Sequence, residues 1–332
     1  MVSMPIFDPN LFNNGISTRD WNALLEDEDS PLTNKALSGQ YAPGSTFKML
    51  VALIGLEMGV INPSMTVHCP GHMDVGRGRM HCWRSHGTMN LVQAIAESCD
   101  VYFYEVAKRV GVDRIAEISA RFGLGQTHTH EFPQERPGHV PTRAWTEGRF
   151  GTRWEVGDTM NVGIGQGRLL TTPMQLAVMT AMIANKGQPV RPRFVRDVQY
   201  PPSPVPPITN IPMSHWQIIK EGMYQANNSP SGTAFASGQL GVPGVKMSGK
   251  TGTTQVRSIS LRERREGLGR QLTRRERNHA LYVGFAPHDM PRYVVVVLVE
   301  HGDSGGRVAA PIARDIMTRT LQLENYGVSA DE

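Results

Sequence analysis

The 332-residue sequence has no apolar run approaching the roughly 18 residues a membrane-spanning helix needs, and its first residues show no charged-then-apolar leader pattern. Its longest apolar stretches, Leu50–Leu56 and Val294–Val299, suit a core helix and a core strand. No internal repeat recurs, which excludes a solenoid or an array. Cysteine is scarce: the three residues, Cys69, Cys82 and Cys99, exclude a disulfide-rich scaffold. Neither sign of charge dominates, with 34 basic and 30 acidic residues. The net +4 is carried by residues 262–277 alone, where seven Arg stand against three Glu. That stretch is punctuated by glycine and lacks interleaved aromatics, so it reads as a solvated loop and not as a nucleic-acid surface.

What is present is an ordinary globular composition, 39% hydrophobic with 34 Gly and 23 Pro, long enough for about two lobes. Met1–Pro5 reads as the tail of a strand and Phe7–Asn10 as a turn. A helix is expected from near Ser45. Val67–Gly87 is poor in helix signal. Helices follow over Met89–Ile95, Val101–Val110 and Val112–Phe122, and 125–168 reads as loop. Thr172 as cap, Pro173 in the first turn and Gly187 as stop bracket another helix. A proline-rich crossover spans 189–212, and Ser214 caps a helix to about Gln225. The period then becomes that of strands, Val245–Val256, His279–Ala286 and Arg292–Glu300, before a closing helix Pro311–Leu323. The order implies an α/β fold: an antiparallel sheet lobe flanked by helices (about 1–44 plus 230–332) with an inserted all-helical lobe (about 45–229).

Three short motifs carry chemistry. Ala42-Pro43-Gly44-Ser45-Thr46-Phe47-Lys48 is a turn running into a helix, with Ser45 in its first turn and Lys48 on the same face. A serine is a weak nucleophile until a base takes its proton, and a nearby lysine held neutral by burial and positive charge can do so. Helix N-terminal N–H groups offer a seat for a negative oxygen. An equally ordinary reading is a helix start with a surface lysine. Ser98-Cys99-Asp100 sits between two helices, where a hydroxyl and a carboxylate can line a cleft or merely cap. Lys250-Thr251-Gly252-Thr253 lies in a strand, with Lys250 and Gly252 on one face and Thr251 and Thr253 on the other. Gly252 leaves room for a substrate backbone.

In this order and in these contexts the three motifs resemble the penicillin-binding protein and serine β-lactamase superfamily. Wider stretches are similar to the class B, elongation-type penicillin-binding protein 2 transpeptidases. These are Val2-Ser3-Met4-Pro5 with Phe7–Asn10, Pro137-Gly138, Pro141-Thr142, Gly157-Asp158-Thr159 with Asn161, and Gly163–Gly167. His279-Ala280, Gly284–Pro287, Gly305-Gly306 and Ala309–Ile312 complete the set. The resemblance implies a D,D-transpeptidase at the periplasmic face of the bacterial inner membrane. It would act on peptidoglycan stem peptides, be acylated by β-lactams, and work with a SEDS-type glycan polymerase and the elongation complex. Ser45 would attack the penultimate D-Ala carbonyl and Lys48 would take its proton. Ser98 and Lys250 would shuttle protons and keep Lys48 neutral. Ser45 and Thr253 N–H groups would form the oxyanion hole, while Thr251 and Thr253 hydroxyls meet the terminal carboxylate. Asp100 stands where the superfamily commonly has Asn and points to the penicillin-binding protein 2 class. The resemblance also implies a preceding strand, a pedestal domain and a membrane anchor missing from this chain. A β-lactamase and a non-catalytic β-lactam sensor are the rival readings.

The cysteines form C-x12-C-x3-H-x12-C with His86. Three thiolates and an imidazole make a complete tetrahedral Zn²⁺ set, and the helix-poor stretch that carries two of them has little core of its own. A metal on Cys69, Cys82, His86 and Cys99 would brace Ser98 from behind. One disulfide with an odd thiol, plain burial, or His68, His72 or His81 in place of His86 are alternatives.

Overall fold

Every residue from Lys48 to Leu56 is buried, so this helix is surrounded on all sides and the rest of the chain is built round it. The computed structural model describes residues 1–324 apart from Arg77, His130, 196–206, 258–262 and 264–270. Before the central helix come α1 (Thr18–Glu26) and α2 (Lys35–Ser38), and α3 (Lys48–Glu57) is the buried helix itself. Next are β1 (Val67–Cys69), β2 (His72–Val75), β3 (Gly78–His81) and β4 (Gly87–Met89). Helices α4 (Leu91–Ala96), α5 (Asp100–Val110), α6 (Val112–Arg121), α7 (Arg143–Phe150), α8 (Val156–Gly163), α9 (Pro173–Ala184) and α10 (Met213–Asn228) follow. The chain closes with β5 (Ser248–Thr254), β6 (His279–Ala286), β7 (Tyr293–Val299) and α11 (Ala310–Leu323).

The last three strands pair antiparallel in the order β5-β6-β7. Alternation along β6 divides the core. Leu281, Val283 and Phe285 join the large cluster round α3, while Ala280, Tyr282 and Ala286 join a smaller one with Ala313, Met317 and Leu321 of α11. The sheet is thus covered on both faces, as the apolar run of β7 predicts. No helix among the described residues is long and apolar enough to cross a membrane.

Several expectations need correction. Met1–Pro5 forms no strand. The inserted region is not all-helical: β1 pairs with β4 and β2 with β3 in two small antiparallel sheets. Met89 therefore ends a strand, and the Asn90–Gln93 capping box starts α4 only at Leu91. Two helices lie inside the stretch read as loop: Thr142 caps α7, and a reciprocal Glu155–Asp158 box starts α8. Pro212, not Ser214, precedes α10. The α9 brackets stand as read, with a Thr172–Gln175 box and the Gly187 N–H returning to the Met182 carbonyl at 2.8 Å. Half of the Arg-rich 262–277 stretch lies outside the described residues, but Arg274 pairs with Asp29 at 2.9 Å and Arg275 with Glu28 at 3.3 Å.

Candidate active site

Ser45 lies in a single 3-10 turn, Gly44–Phe47, that runs directly into α3, and the Lys48 N–H closes the turn on the Ser45 carbonyl. Pro43 and Gly44 set this up: Gly44 has φ +55°, which L side chains rarely adopt. A Cβ on Gly44 would lie 2.8 Å from the Thr253 carbonyl, and one on Gly165 would lie 2.0 Å from the Gly44 carbonyl. Gly44 in turn donates its N–H to the Gly165 carbonyl at 2.8 Å. The serine turn, the end of β5 and the Gly165 loop therefore meet backbone to backbone. No side chain fits between them.

Lys48 is fully buried and its amine is spent. It donates to Asp100 Oδ1 at 2.6 Å, to the Ser98 carbonyl at 2.9 Å and to Ser98 Oγ at 3.2 Å. Three acceptors are what an ammonium requires. Ser98 reaches this position with φ +59°, a strained conformation for a serine, in the turn between α4 and α5. Asp100 is the first residue of α5, where the helix dipole favours its charge.

Lys250 is buried just as completely on β5, but among the described residues its amine finds only the Thr251 carbonyl, at 3.1 Å. Burial, then the nearby Lys48 charge, holds its pKa well below the usual lysine range, with Asp100 opposing. Lys48 has its own counter-charge in Asp100, and Lys250 is the amine driven towards neutrality.

Thr251 and Thr253 do not share a role. The Thr251 hydroxyl donates to Thr233 Oγ1 at 2.8 Å, whereas the Thr253 carbonyl accepts from Gln166 Nε2 at 2.9 Å. Thr233 also donates its N–H to the Ala96 carbonyl, tying β5 to the turn that holds Ser98. Gly252 is tight: a Cβ there would stand 2.9 Å from Thr46 Cγ2. Thr233 and Gln166 went unassigned from sequence. Gln166 lies in the glycine-rich 163–167 stretch already singled out, while Thr233 has no local signal beyond its Ser-Gly-Thr turn.

Behind the Ser98 turn the four residues of the cysteine pattern converge. Ligand atoms of Cys69, Cys82, His86 and Cys99 all lie within 4.8 Å of one another, and the three cysteines are free thiols. His86 Nδ1 is 3.6 Å from Cys69 Sγ and 3.5 Å from Cys82 Sγ. A tetrahedral zinc separates its nitrogen and sulfur ligands by about 3.5 Å. His86 Nε2 faces the Glu97 carbonyl at 3.3 Å, which fixes the tautomer that leaves Nδ1 as the ligand. Cys82 Sγ accepts the Asp100 N–H at 3.2 Å, and its thiol is pulled down to about 5, first by the hydrogen bond from Cys99. The donor set fits zinc. His72 and His81 face each other across β2 and β3, and His68 turns to Thr88. They stand outside the cluster.

A buried serine-lysine turn facing a Ser-x-Asp turn and a Lys-Thr-Gly-Thr edge strand is the layout of an acyl-transferring serine enzyme. The match to known proteins is specific. The penicillin binding protein transpeptidase domain family matches residues 1–318, and the chain belongs to that family. It is similar to the peptidoglycan D,D-transpeptidase MrdA of Escherichia coli, 35% identical over 353 aligned positions that cover 100% of this chain and 55% of MrdA. Among solved structures it resembles Pseudomonas aeruginosa PBP2 in complex with WCK 5153, with TM-score 0.87 and 38% identity, covering 100% of this chain and 70% of that one. It also resembles PBP2 in the complex with MreC from Helicobacter pylori, with TM-score 0.83 and 31% identity, covering 97% and 57%. The fold class expected from the motifs is that of these structures. The chain spans about half the length of the curated relatives it matches.

Proposed function

We propose that this domain is a serine D,D-transpeptidase that cross-links peptidoglycan stem peptides during cell elongation and is acylated by β-lactams. The observation that carries this is the pair of buried lysines on opposite walls of one cleft, with Ser45 one turn before the first. Ser45 Oγ bonds to the penultimate D-Ala carbonyl carbon while its proton passes to Lys48, which has handed its own through Ser98, 3.2 Å away, towards the proton-deficient Lys250. The C–N bond then breaks, and terminal D-Ala leaves with a proton relayed through Ser98. The amine of a second stem peptide displaces Ser45 from the acyl-enzyme, and the serine regains its proton. Lys250, short of a proton, accepts and returns one in each half-reaction. Ser45 and Thr253 N–H groups hold the oxyanion; losing such a donor typically costs ~10²–10³ in rate. Thr253, Thr251 and the Thr233 hydroxyl that Thr251 bonds to receive the terminal carboxylate.

The cysteine corner is proposed to hold one structural Zn²⁺ on Cys69, Cys82, His86 and Cys99. The metal would supply rigidity to the Glu97–Asp100 turn and no chemistry to the acyl transfer. Similarity to PBP2 in its complex with MreC and to a peptidoglycan synthase complex supports the further reading of a domain that works at the periplasmic face of the inner membrane with MreC-type and glycan-polymerase partners. That assignment rests on the shared family.

Labelling with a fluorescent penicillin tests the function. The expected result is a covalent adduct that persists for many minutes and disappears in Ser45→Ala. Rapid release would make the protein a β-lactamase, and no adduct on folded chain would remove the serine assignment. Elemental analysis of chelator-free protein tests the metal: about one zinc per chain is expected, and less than half an equivalent overturns it.

A further inference from the structure

The cleft does not end at Thr253. Gln166 binds the Thr253 carbonyl through Nε2 and receives the Gln255 N–H on Oε1 at 3.4 Å, so it extends the floor beyond the end of β5. Two residues on, the half-buried Arg168 guanidinium stacks on Phe150, 4.7 Å from the ring centre. Phe150 is 50% exposed at the end of α7 and is held edge-on by Trp145, with centroids 5.4 Å apart. Trp145 stacks on His139, whose backbone pairs with Leu170. Arg168 has neither a hydrogen bond nor an acidic partner among the described residues. Most other described arginines near a fixed surface are paired, as Arg121 is with Glu57 and Arg84 with Glu97.

A guanidinium held over a ring with no acidic partner among the described residues is available to a carboxylate, which it can grip with two parallel hydrogen bonds. Polarity along the cleft says which carboxylate. The reacting carbonyl sits between Ser45 and Thr253, and the leaving residue's carboxylate lies on the Thr251–Thr233 side. The peptide upstream of the reacting carbonyl therefore runs past Thr253 towards Gln166. We propose that Arg168, held by Phe150, is a subsite for an acidic stem peptide and binds a carboxylate on a residue upstream of the scissile D-Ala. Phe150 and Trp145 offer apolar contact to the same residue. This rests on the transpeptidase reading and names a substrate feature that reading leaves open.

The test uses a pair of synthetic D-Ala-D-Ala peptides identical except that an upstream side-chain carboxylate is free in one and amidated in the other. Each competes with fluorescent penicillin for Ser45 of the unaltered chain. The free acid is expected to compete about tenfold better, the range of one charge-assisted bidentate pair at a partly wet site. Arg168→Ala should reduce that ratio to about one, and Arg168→Lys should restore it only in part. Equal competition by the two peptides on the unaltered chain overturns the subsite, as does a preference that survives in Arg168→Ala. Because the first comparison changes only the peptide, it stands even where a variant folds poorly. Failure of the penicillin itself to label the unaltered chain would count against the transpeptidase reading instead.

Discussion

The two walls of the cleft each bury one lysine completely, and they treat it in opposite ways. On the helical wall, Lys48 has three acceptors, one of them a carboxylate 2.6 Å away. On the sheet wall, Lys250 has a single carbonyl and a like charge across the cleft. Burying a charge is costly unless it is paired, and an unpaired group sheds its proton instead. The same residue type thus has a full set of acceptors, one of them a carboxylate, on one side, and on the other an amine that burial drives towards neutrality.

Replacing each lysine by Met separates the two states and carries the largest effects. Acylation by penicillin should fall ~10²–10⁴-fold in both variants, since both lose a proton-transfer group. Stability should move in opposite directions. Lys48→Met strands the Asp100 carboxylate, which is 15% exposed, and should cost ~1–3 kcal/mol. Lys250→Met removes an amine that burial penalises and should gain ~1–2 kcal/mol. Urea melts of the two variants check this, and a loss in both would erase the contrast between the walls.

The walls also differ in what braces them. The sheet wall is held by ladder bonds and the apolar cluster over α11. The Ser98 turn hangs instead on the cysteine corner, through the Glu97 carbonyl that faces both His86 Nε2 and Trp83 Nε1 and through the Asp100 N–H on Cys82. Removing the proposed zinc with a strong chelator should lower stability by ~2–4 kcal/mol, since a ligand bound only by the folded state stabilises it by mass action. It should slow acylation as well. Cys82→Ser should reproduce both effects, and a serine-for-cysteine variant that labels and melts like the parent would show the corner to be inert.

Much of this was legible before any coordinates. The His279–Ala286 strand was readable to the residue from its period, and β7 because a strand with both faces covered leaves a continuous apolar run. The Thr172–Pro173 start was readable because capping chemistry is local. The cysteine corner was readable from ligand types alone. What escaped were contacts between residues far apart in sequence. Gln166 meets Thr253 across 87 positions, and the Thr251–Thr233 bond is made only once α10 has turned the chain back. Helices α7 and α8 escaped for another reason: their stretch is rich in Gly, Trp and Arg, and side-chain caps at Thr142 and Glu155 outweigh its weak periodicity. The Lys48–Asp100 pairing could not be read either, since SxxK says nothing about a carboxylate that arrives from residue 100.

The pH dependence of the lysine contrast follows from the direction of the Lys250 shift. Its folded pKa is depressed below the unfolded value of about 10.4, so folding expels a proton between those two values. The unfolded state binds more protons there, and stability rises with pH across that window. Below the folded pKa the penalty is present in full. Above about 10.4 both states are neutral and it vanishes. The advantage of Lys250→Met should therefore be greatest at neutral pH and shrink as pH climbs towards 10.4. A difference that stays constant with pH would show that Lys250 keeps its proton on folding.

The smallest effect is expected from Asp100→Asn, the exchange that separates this chain from the commoner superfamily motif. The amide oxygen still accepts from Lys48, so the geometry survives, but a charge-assisted bond becomes an ordinary one. Stability should drop by ~1 kcal/mol. On the opposite wall Asp100 is the one group holding the Lys250 pKa up, so its loss should push Lys250 further towards neutrality. The cleft then has a weaker anchor for its cation and a stronger bias on its base. Acylation should fall by no more than about tenfold, because the base is improved as the relay is impaired. The pH at which acylation reaches half its maximum should move down, in the same direction as the Lys250 amine. A midpoint that stays in place or moves up would show that the Lys250 amine is not the group whose titration limits acylation.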